Sequence, residues 1–295
     1  MIDRRHLERA GNVVLDQTSS LDAFRAWAKA GTANGTPLFM QLNHPGRQCN
    51  RASSLEPLAP SAVGLDLLGL FGQPRALKEH EIGTMIHAWA NAARLAKEAG
   101  FSGVQIHAAH GYLVSQFLSP YTNRRADAWG GDSERRGRFL IEVVRAVREA
   151  VGDGFPVALK LNSADFQKGG FDEAESMALL ERLDGEGLDL LEISGGTYES
   201  AKMFEETVPT RASSKRREAF FADYVEKARA RIRCPLMLTG GFRTKAGMED
   251  AIASGAVDVV VALGSEQRPR AAVARVLRRR VDAFFAGRSV RAEDL

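Results

Sequence analysis

Several short apolar runs in this chain share one pattern at their ends: polar residues at every second position. In Phe39-Met-Gln-Leu-Asn43, Val104-Gln-Ile-His107, Leu159-Lys-Leu-Asn162 and Leu191-Glu-Ile-Ser194, apolar and polar side chains alternate. Period-two alternation predicts β-strands that send the two sets to opposite sides of one sheet. Six such runs are predicted as strands, at residues 37–42, 103–107, 157–162, 188–194, 235–239 and 257–263. Between them the period lengthens to that of amphipathic helices. Helices are predicted at residues 20–34 (capped by Ser20 and ended near Gly31), 80–99, 133–151, 172–184, 216–232, 245–254 and 270–286. Residues 43–74, punctuated by Pro, Gly and Ser, read as a loop.

Strands separated by helices make parallel βαβ units, so the class is α/β. Polar groups gathered at the strand C-termini, with apolar residues facing the helices, fit a (β/α)8 TIM barrel, which carries its active site at that end. Six strands fall short of eight. At about 30 residues per strand–helix unit, about 60 residues are missing relative to a full barrel. The chain opens beside a helix, so the first two strands are the ones expected to be lacking. The expectation is a single, partial barrel domain over residues 1–295, with 264–295 as a divergent C-terminal segment.

Bulk properties narrow the function. Hydrophobic residues make up 44% and charged residues 26%, which is ordinary for a soluble globular chain. The net charge is +3, with much of the basic excess in the last thirty residues, so nucleic acid is not an expected partner. No apolar run has the length of a membrane span and the N-terminus has no signal-peptide pattern, so the expected setting is cytoplasmic, away from membranes. Cys49 and Cys234 are the two cysteines; they are too few for an iron–sulfur cluster and too far apart for a CxxC pair. Homo-oligomerisation is left open.

The most informative segment is His107-Ala-Ala-His110-Gly-Tyr112, which follows the second predicted strand. Two imidazoles can offer N–H donors to one substrate oxygen, and a phenol can supply a proton. That combination draws electrons into a carbonyl and protonates the neighbouring carbon. A metal is not expected, because no further His, Asp or Glu group lies at ligand spacing.

The order of several separated motifs resembles the old yellow enzyme family of FMN-dependent NAD(P)H:flavin oxidoreductases, or ene-reductases. The motifs are Gln41-Leu-Asn-His44-Pro-Gly-Arg47, His107-Ala-Ala-His110-Gly-Tyr112-Leu, Asn123-Arg-Arg-Ala-Asp127-Ala-Trp-Gly130-Gly131, Arg138-Phe139, Gly169-Gly170 and Gly240-Gly241. The resemblance implies a barrel of the FMN-linked type, with NAD(P)H as reductant in the same cleft as the substrate. It implies that hydride passes through flavin N5 to the β-carbon of an activated alkene. His107 and His110 would hold the activating oxygen and Tyr112 would protonate the α-carbon.

For the cofactor, the resemblance implies Gln41 on the pyrimidine edge and Lys160 facing flavin N1/O2, where relatives usually carry Arg. Gly240, Gly241 and Gly264 would lie at the phosphate. Relatives usually present an Arg after the last strand, whereas this chain reads Gly264-Ser265-Glu266-Gln267. Tyr198 is a substrate-lining residue in the expected cover loop. His44 and Arg47 are expected to brace their own loop, and Asn123, Arg124, Asp127 and Gly130-Gly131 to hold the loop after the catalytic strand. The absent cysteines argue against the dienoyl-CoA-reductase branch. A dihydroorotate-dehydrogenase-like barrel lacks its base motif. The alternative function is a truncated, non-catalytic relative with impaired flavin binding, and reading the DNA upstream of Met1 for a further strand separates the two.

Overall fold

A computed structural model describes residues 1–195, 223–239 and 245–261. Six strands form one parallel sheet: β1 (Phe39–Leu42), β4 (Gly103–Ala108), β5 (Val157–Asn162), β6 (Leu190–Ser194), β7 (Leu236–Thr239) and β8 (Val259–Val261). They lie side by side in chain order, with all five pairings parallel. Helices intervene as the pattern predicts: α1 (Asp22–Gly31), α2 (Glu79–Glu98), α4 (Ser133–Val151), α5 (Glu173–Leu183), α6 (223–229) and α7 (Lys245–Ala253). Two details of the expectation change. Helix α1 starts at Asp22, after Leu21, with no side-chain cap, so Ser20 does not cap it. The expected loop contains a small parallel pair, β2 (Leu58–Ala59) with β3 (Arg75–Ala76), and a short helix α3 (Leu113–Leu118) follows the histidine segment. Both are too short to generate a readable period.

The outward face of the sheet is apolar. Met40, Leu42, Val104, Ile106, Leu159, Leu161, Leu191, Ile193, Leu236 and Leu238 are buried in the main core with the inner faces of α2 and α4. Trp89 of α2, fully buried, meets Phe139 of α4 edge-on at 5.8 Å, and Phe139 stacks on Phe117 of α3 at 4.1 Å. Sequence-local caps start two of the helices. Asp132 accepts the Arg135 N–H at 2.8 Å before α4, and Asp172 accepts the Glu175 N–H at 2.9 Å before α5.

The opposite face is graded along the strands. At its N-terminal end Phe39, Ala158, Leu190, Met237, Val259 and Val261 pack as a separate apolar cluster. Gly103 belongs to this level because a Cβ there would meet the Phe39 ring at 2.6 Å. Next come Gln41, Gln105, Lys160, Glu192 and Thr239, and beyond them Asn43, His107, Asn162 and Ser194. Successive tiers of inward side chains are how such a barrel fills its interior. Residues 1–16 lie across the C-terminal end of β1, held by Ile2 N–H to Asn43 O at 3.1 Å and Asn50 N–H to Leu7 O at 2.9 Å.

Candidate active site

His107 is the penultimate residue of β4, on the inward parity and buried at 5% exposure. The chain then turns sharply. His110 adopts φ 59° and Gly111 φ 75°, a left-handed pair that swings the His110 ring back over the strand ends. A non-glycine residue in that region costs on the order of 1 kcal/mol. The turn is held by the His110 N–H on Asn162 Oδ1 at 3.3 Å and by His110 Nε2 against Ser194 Oγ at 2.8 Å. The two imidazoles stand edge to face at 5.2 Å, and Tyr112 stands edge to face on His107 at 4.9 Å. The structure thus brings all three predicted groups together.

Their protonation follows from their surroundings. Burial, then His110 and Lys160, push His107 well below the usual histidine range. Burial and Lys160 lower His110 to about 4, against a smaller raising effect of Glu192. Both rings are therefore neutral near pH 7. In His107 the Nδ1 accepts the Ala109 N–H at 3.2 Å, so its proton sits on Nε2. The ring offers one fixed N–H donor. The Tyr112 hydroxyl donates to Glu8 Oε1 at 3.0 Å, a contact between residues 104 apart in sequence. Glu8 lies in a segment whose pattern carried no sign of chemistry.

Below the histidines runs a polar chain across four strands. Gln41 Nε2 donates to Gln105 Oε1, Gln105 Nε2 donates to Glu192 Oε2, and Lys160 Nζ donates to Glu192 Oε1, each at 2.7 Å. Gln41 is exposed, while Lys160 and Glu192 are 13% and 7% exposed in their side chains. The donor set suits the pyrimidine edge of a flavin, which alternates carbonyl oxygens with an N–H. Gln41 keeps its Oε1 and a second N–H for it, and Lys160 keeps two further N–H groups. Asn43 Oδ1 and Thr239 Oγ1, buried just after β1 and at the end of β7, have no hydrogen-bond partner among the described residues and would meet a ligand's polar atoms. The residues present therefore fit FMN. Tyr198, Gly240, Gly241 and Gly264 lie outside the described residues, as do the expected helix at 270–286 and the segment 264–295.

The supporting motifs are structural, as their chemistry predicts. His44 is fully buried, and its Nδ1 accepts the Gly46 N–H at 3.1 Å. Arg47 donates to Gly64 O at 3.0 Å and lies over the Tyr121 ring at 5.7 Å. Asn123 Nδ2 bridges Phe117 O and Trp129 O at 2.8 Å each, and Asp127 accepts the Trp129 N–H at 3.1 Å. Cys49 and Cys234 are free thiols, pushed by burial to about 11 and about 12.

Asp3, His6 and His44 place metal-ligating atoms within 4.8 Å of one another, a grouping the sequence spacing concealed. The donors are already committed. Arg5 bonds both Asp3 oxygens at 2.9 and 2.8 Å, and His6 Nδ1 lies 3.1 Å from Oδ2. Since His44 Nδ1 accepts from Gly46, its Nε2 carries the proton and has no lone pair for a metal. The ion pairs of the cluster lie within the N-terminal segment, and the neutral His44 ring of the loop after β1 packs against it, tilted at 5.2 Å from His6. Those same bonds from His6 and Arg5 outweigh burial and hold the Asp3 carboxyl far below the carboxylate range.

Parallel strands in chain order, alternating helices and a polar site at the strand C-termini define a TIM-barrel-type oxidoreductase. A family model described as the NADH:flavin oxidoreductase / NADH oxidase family matches residues 9–267. The chain belongs to this family of enzymes, whose cofactors are FMN and NAD(P)H. It is 40% identical to the NADH-dependent flavin oxidoreductase iliE of Hypocrea jecorina, over 88% of this chain and 70% of that protein. It is 36% identical to the NADH oxidase of Thermoanaerobacter brockii, over 83% of this chain and 37% of that one. Among solved structures, a 2-naphthoyl-CoA reductase in complex with 2-naphthoyl-CoA superposes with a TM-score of 0.78 at 28% identity. That match covers 87% of this chain and 40% of the reductase. The chain thus spans well under half of these last two relatives.

Proposed function

We propose that the chain is one barrel unit that reduces the activated C=C bond of a small-molecule substrate. FMN held by Gln41 and Lys160 would supply the hydride chemistry, with NADH or NADPH as the source and the alkene β-carbon as the acceptor. The observation that carries this reading is the His107 tautomer. A neutral ring with its proton fixed on Nε2 is a donor before substrate arrives, so no reorientation is needed as negative charge grows on the activating oxygen. His110 adds a second N–H beside it. Tyr112, whose hydroxyl proton lies on the Glu8 carboxylate here, would turn that proton to the α-carbon and regain one from water afterwards. Gln41 and Lys160 would hold the flavin's pyrimidine edge; Gly240, Gly241 and Gly264 are assigned to its phosphate and Tyr198 to the substrate by the sequence resemblance alone, all four lying outside the described residues.

The setting is cytoplasmic, with no nucleic-acid or membrane partner. Among the described residues no helix is long and apolar enough to cross a membrane. Self-association is compatible with the site, which draws its described residues from one chain.

The test uses the purified 295-residue chain, FMN, NADH or NADPH, and 2-cyclohexenone without oxygen. A yellow holoprotein that forms the saturated ketone is expected. Tyr112→Phe should slow the alkene step about 10²-fold or more while NAD(P)H still bleaches the flavin. A chain that stays colourless with added FMN replaces this reading with that of a non-catalytic relative.

A further inference from the structure

The side-chain ladder from Gln41 to Lys160 has a direction, and Glu192 imposes it. Ion-paired to Lys160 and buried on β6, the Glu192 carboxylate can only accept hydrogen bonds. Gln105 must therefore turn its NH2 towards Glu192, at 2.7 Å. That leaves Gln105 Oε1 as the atom facing β1, so Gln41 must turn its own NH2 towards Gln105, at 2.7 Å. The acceptor that Gln41 then leaves open is its carbonyl oxygen, beside its second amide N–H. Either amide alone could flip with little penalty; the anchored pair cannot, because a flip would set two acceptors against each other. With Gln105 anchored, a flipped Gln41 would set its oxygen against Gln105 Oε1, losing that bond and adding repulsion.

The same carboxylate also neutralises Lys160. Each of its two oxygens is engaged, one by the ammonium and one by Gln105. With side-chain exposures of 13% and 7% the pair is poorly screened by water, so the field of Glu192 cancels much of the lysine's at any group lying against them. Lys160 and Glu192 are directly paired in the β5–β6 register, so the ion pair is built into the sheet rather than formed by a mobile loop.

We propose that Glu192 is a positioning residue for the flavin: it fixes Gln41 as an acceptor towards the flavin's pyrimidine N–H and mutes Lys160, keeping the bound flavin a strong reductant. This rests on the reading that FMN lies on Gln41 and Lys160. A lysine without a counter-charge favours the electron-rich, reduced ring over the oxidised one. A lysine paired to a carboxylate favours it less, so the midpoint potential stays low and hydride transfer onward is more favourable.

The experiment measures the midpoint potential and dissociation constant of FMN on the wild-type chain, Glu192→Gln and Lys160→Gln. Glu192→Gln keeps the shape, removes the charge and allows the amide ladder to reverse. It is expected to favour reduced over oxidised FMN about tenfold more than wild type does, a rise of about 30 mV for a two-electron couple. Its affinity for oxidised FMN should change by less than that factor. Lys160→Gln leaves the carboxylate without its cation and should lower the potential, which keeps the proposal testable if Glu192→Gln does not fold. If both variants bind FMN at the wild-type potential, the role of Glu192 is overturned and the flavin site stands. If the wild-type chain does not bind FMN, the flavin reading fails and this inference with it.

Discussion

The two faces of the same six strands differ more than any two segments of the chain. On the outward face, Ile106, Leu159, Leu161 and Ile193 are fully buried against helices, and the order of apolar residues matters little. On the inward face, one residue along from each, stand His107, Lys160, Asn162 and Ser194, and every neighbour is specified by a donor or an acceptor. Burial by area is non-directional, so it tolerates exchange among aliphatic side chains. Hydrogen bonding among buried polar groups is directional, so one wrong partner propagates. Stability is concentrated on one parity and chemistry on the other.

That division can be broken by experiment. Ile106→Asp places a carboxylate among α2 and α4 with no partner, and we expect a loss above about 4 kcal/mol, enough to unfold the chain at 25 °C. Circular dichroism reads it. A folded, FMN-binding Ile106→Asp protein would contradict the assignment of stability to the outward face. His107→Ala, one position on, should leave the urea midpoint nearly unchanged while alkene reduction falls about 10²–10³-fold, the usual effect of removing one oxyanion donor. Steady-state and single-turnover rates against urea melts separate the two effects; a large drop in stability with modest loss of rate would reverse the comparison.

The smallest effect is one of pH. His107, His110 and His44 have lowered folded-state values, His110 from 6.5 to about 4 and His44 from 6.5 to about 3. Over that interval the unfolded chain binds protons that the folded chain refuses, so stability rises with pH. Acidification from pH 6.5 towards 4 should therefore weaken the fold progressively. The Asp3 carboxyl acts in the same direction at lower pH: its depressed value contributes stability above 3.8 that is lost below it. Urea midpoints at pH 7, 5.5 and 4.5 check the slope. His110→Asn should lower the slope near pH 5 by about a third, since His107 and His44 still refuse protons there.

Much of the fold was legible because period-two alternation survives in short parallel strands whose faces differ. All six predicted strands are present: β5 matches its range, β4 runs one residue further to Ala108, and others start later, as β7 does at Leu236. What escaped were elements without a period: the two-residue strands β2 and β3, and α3, six residues long. The histidine pair, Tyr112 and Gln41 were visible in motifs, and Lys160 by its strand parity at a position where relatives usually carry Arg. Glu8 was not, because a glutamate in a polar N-terminal stretch looks like any other solvated charge. Glu192 was visible only as a polar residue of the right parity. Its partner was legible in neither strand alone.

The sequence by itself determined which residues face inward, since alternation along a strand is a local consequence of backbone geometry. It also determined that two imidazoles and a phenol emerge where a strand ends. Tertiary structure alone decided what those groups are able to do. The proton position on His107 depends on where the Ala109 N–H points just before the left-handed turn. The alignment of Tyr112 depends on a contact spanning 104 residues, and the polarity of Gln41 on a chain of bonds that closes 87 residues from Gln105. These contacts arise from strand register and the folding of the N-terminal segment across the sheet. Neither is encoded in any window short enough to show a pattern.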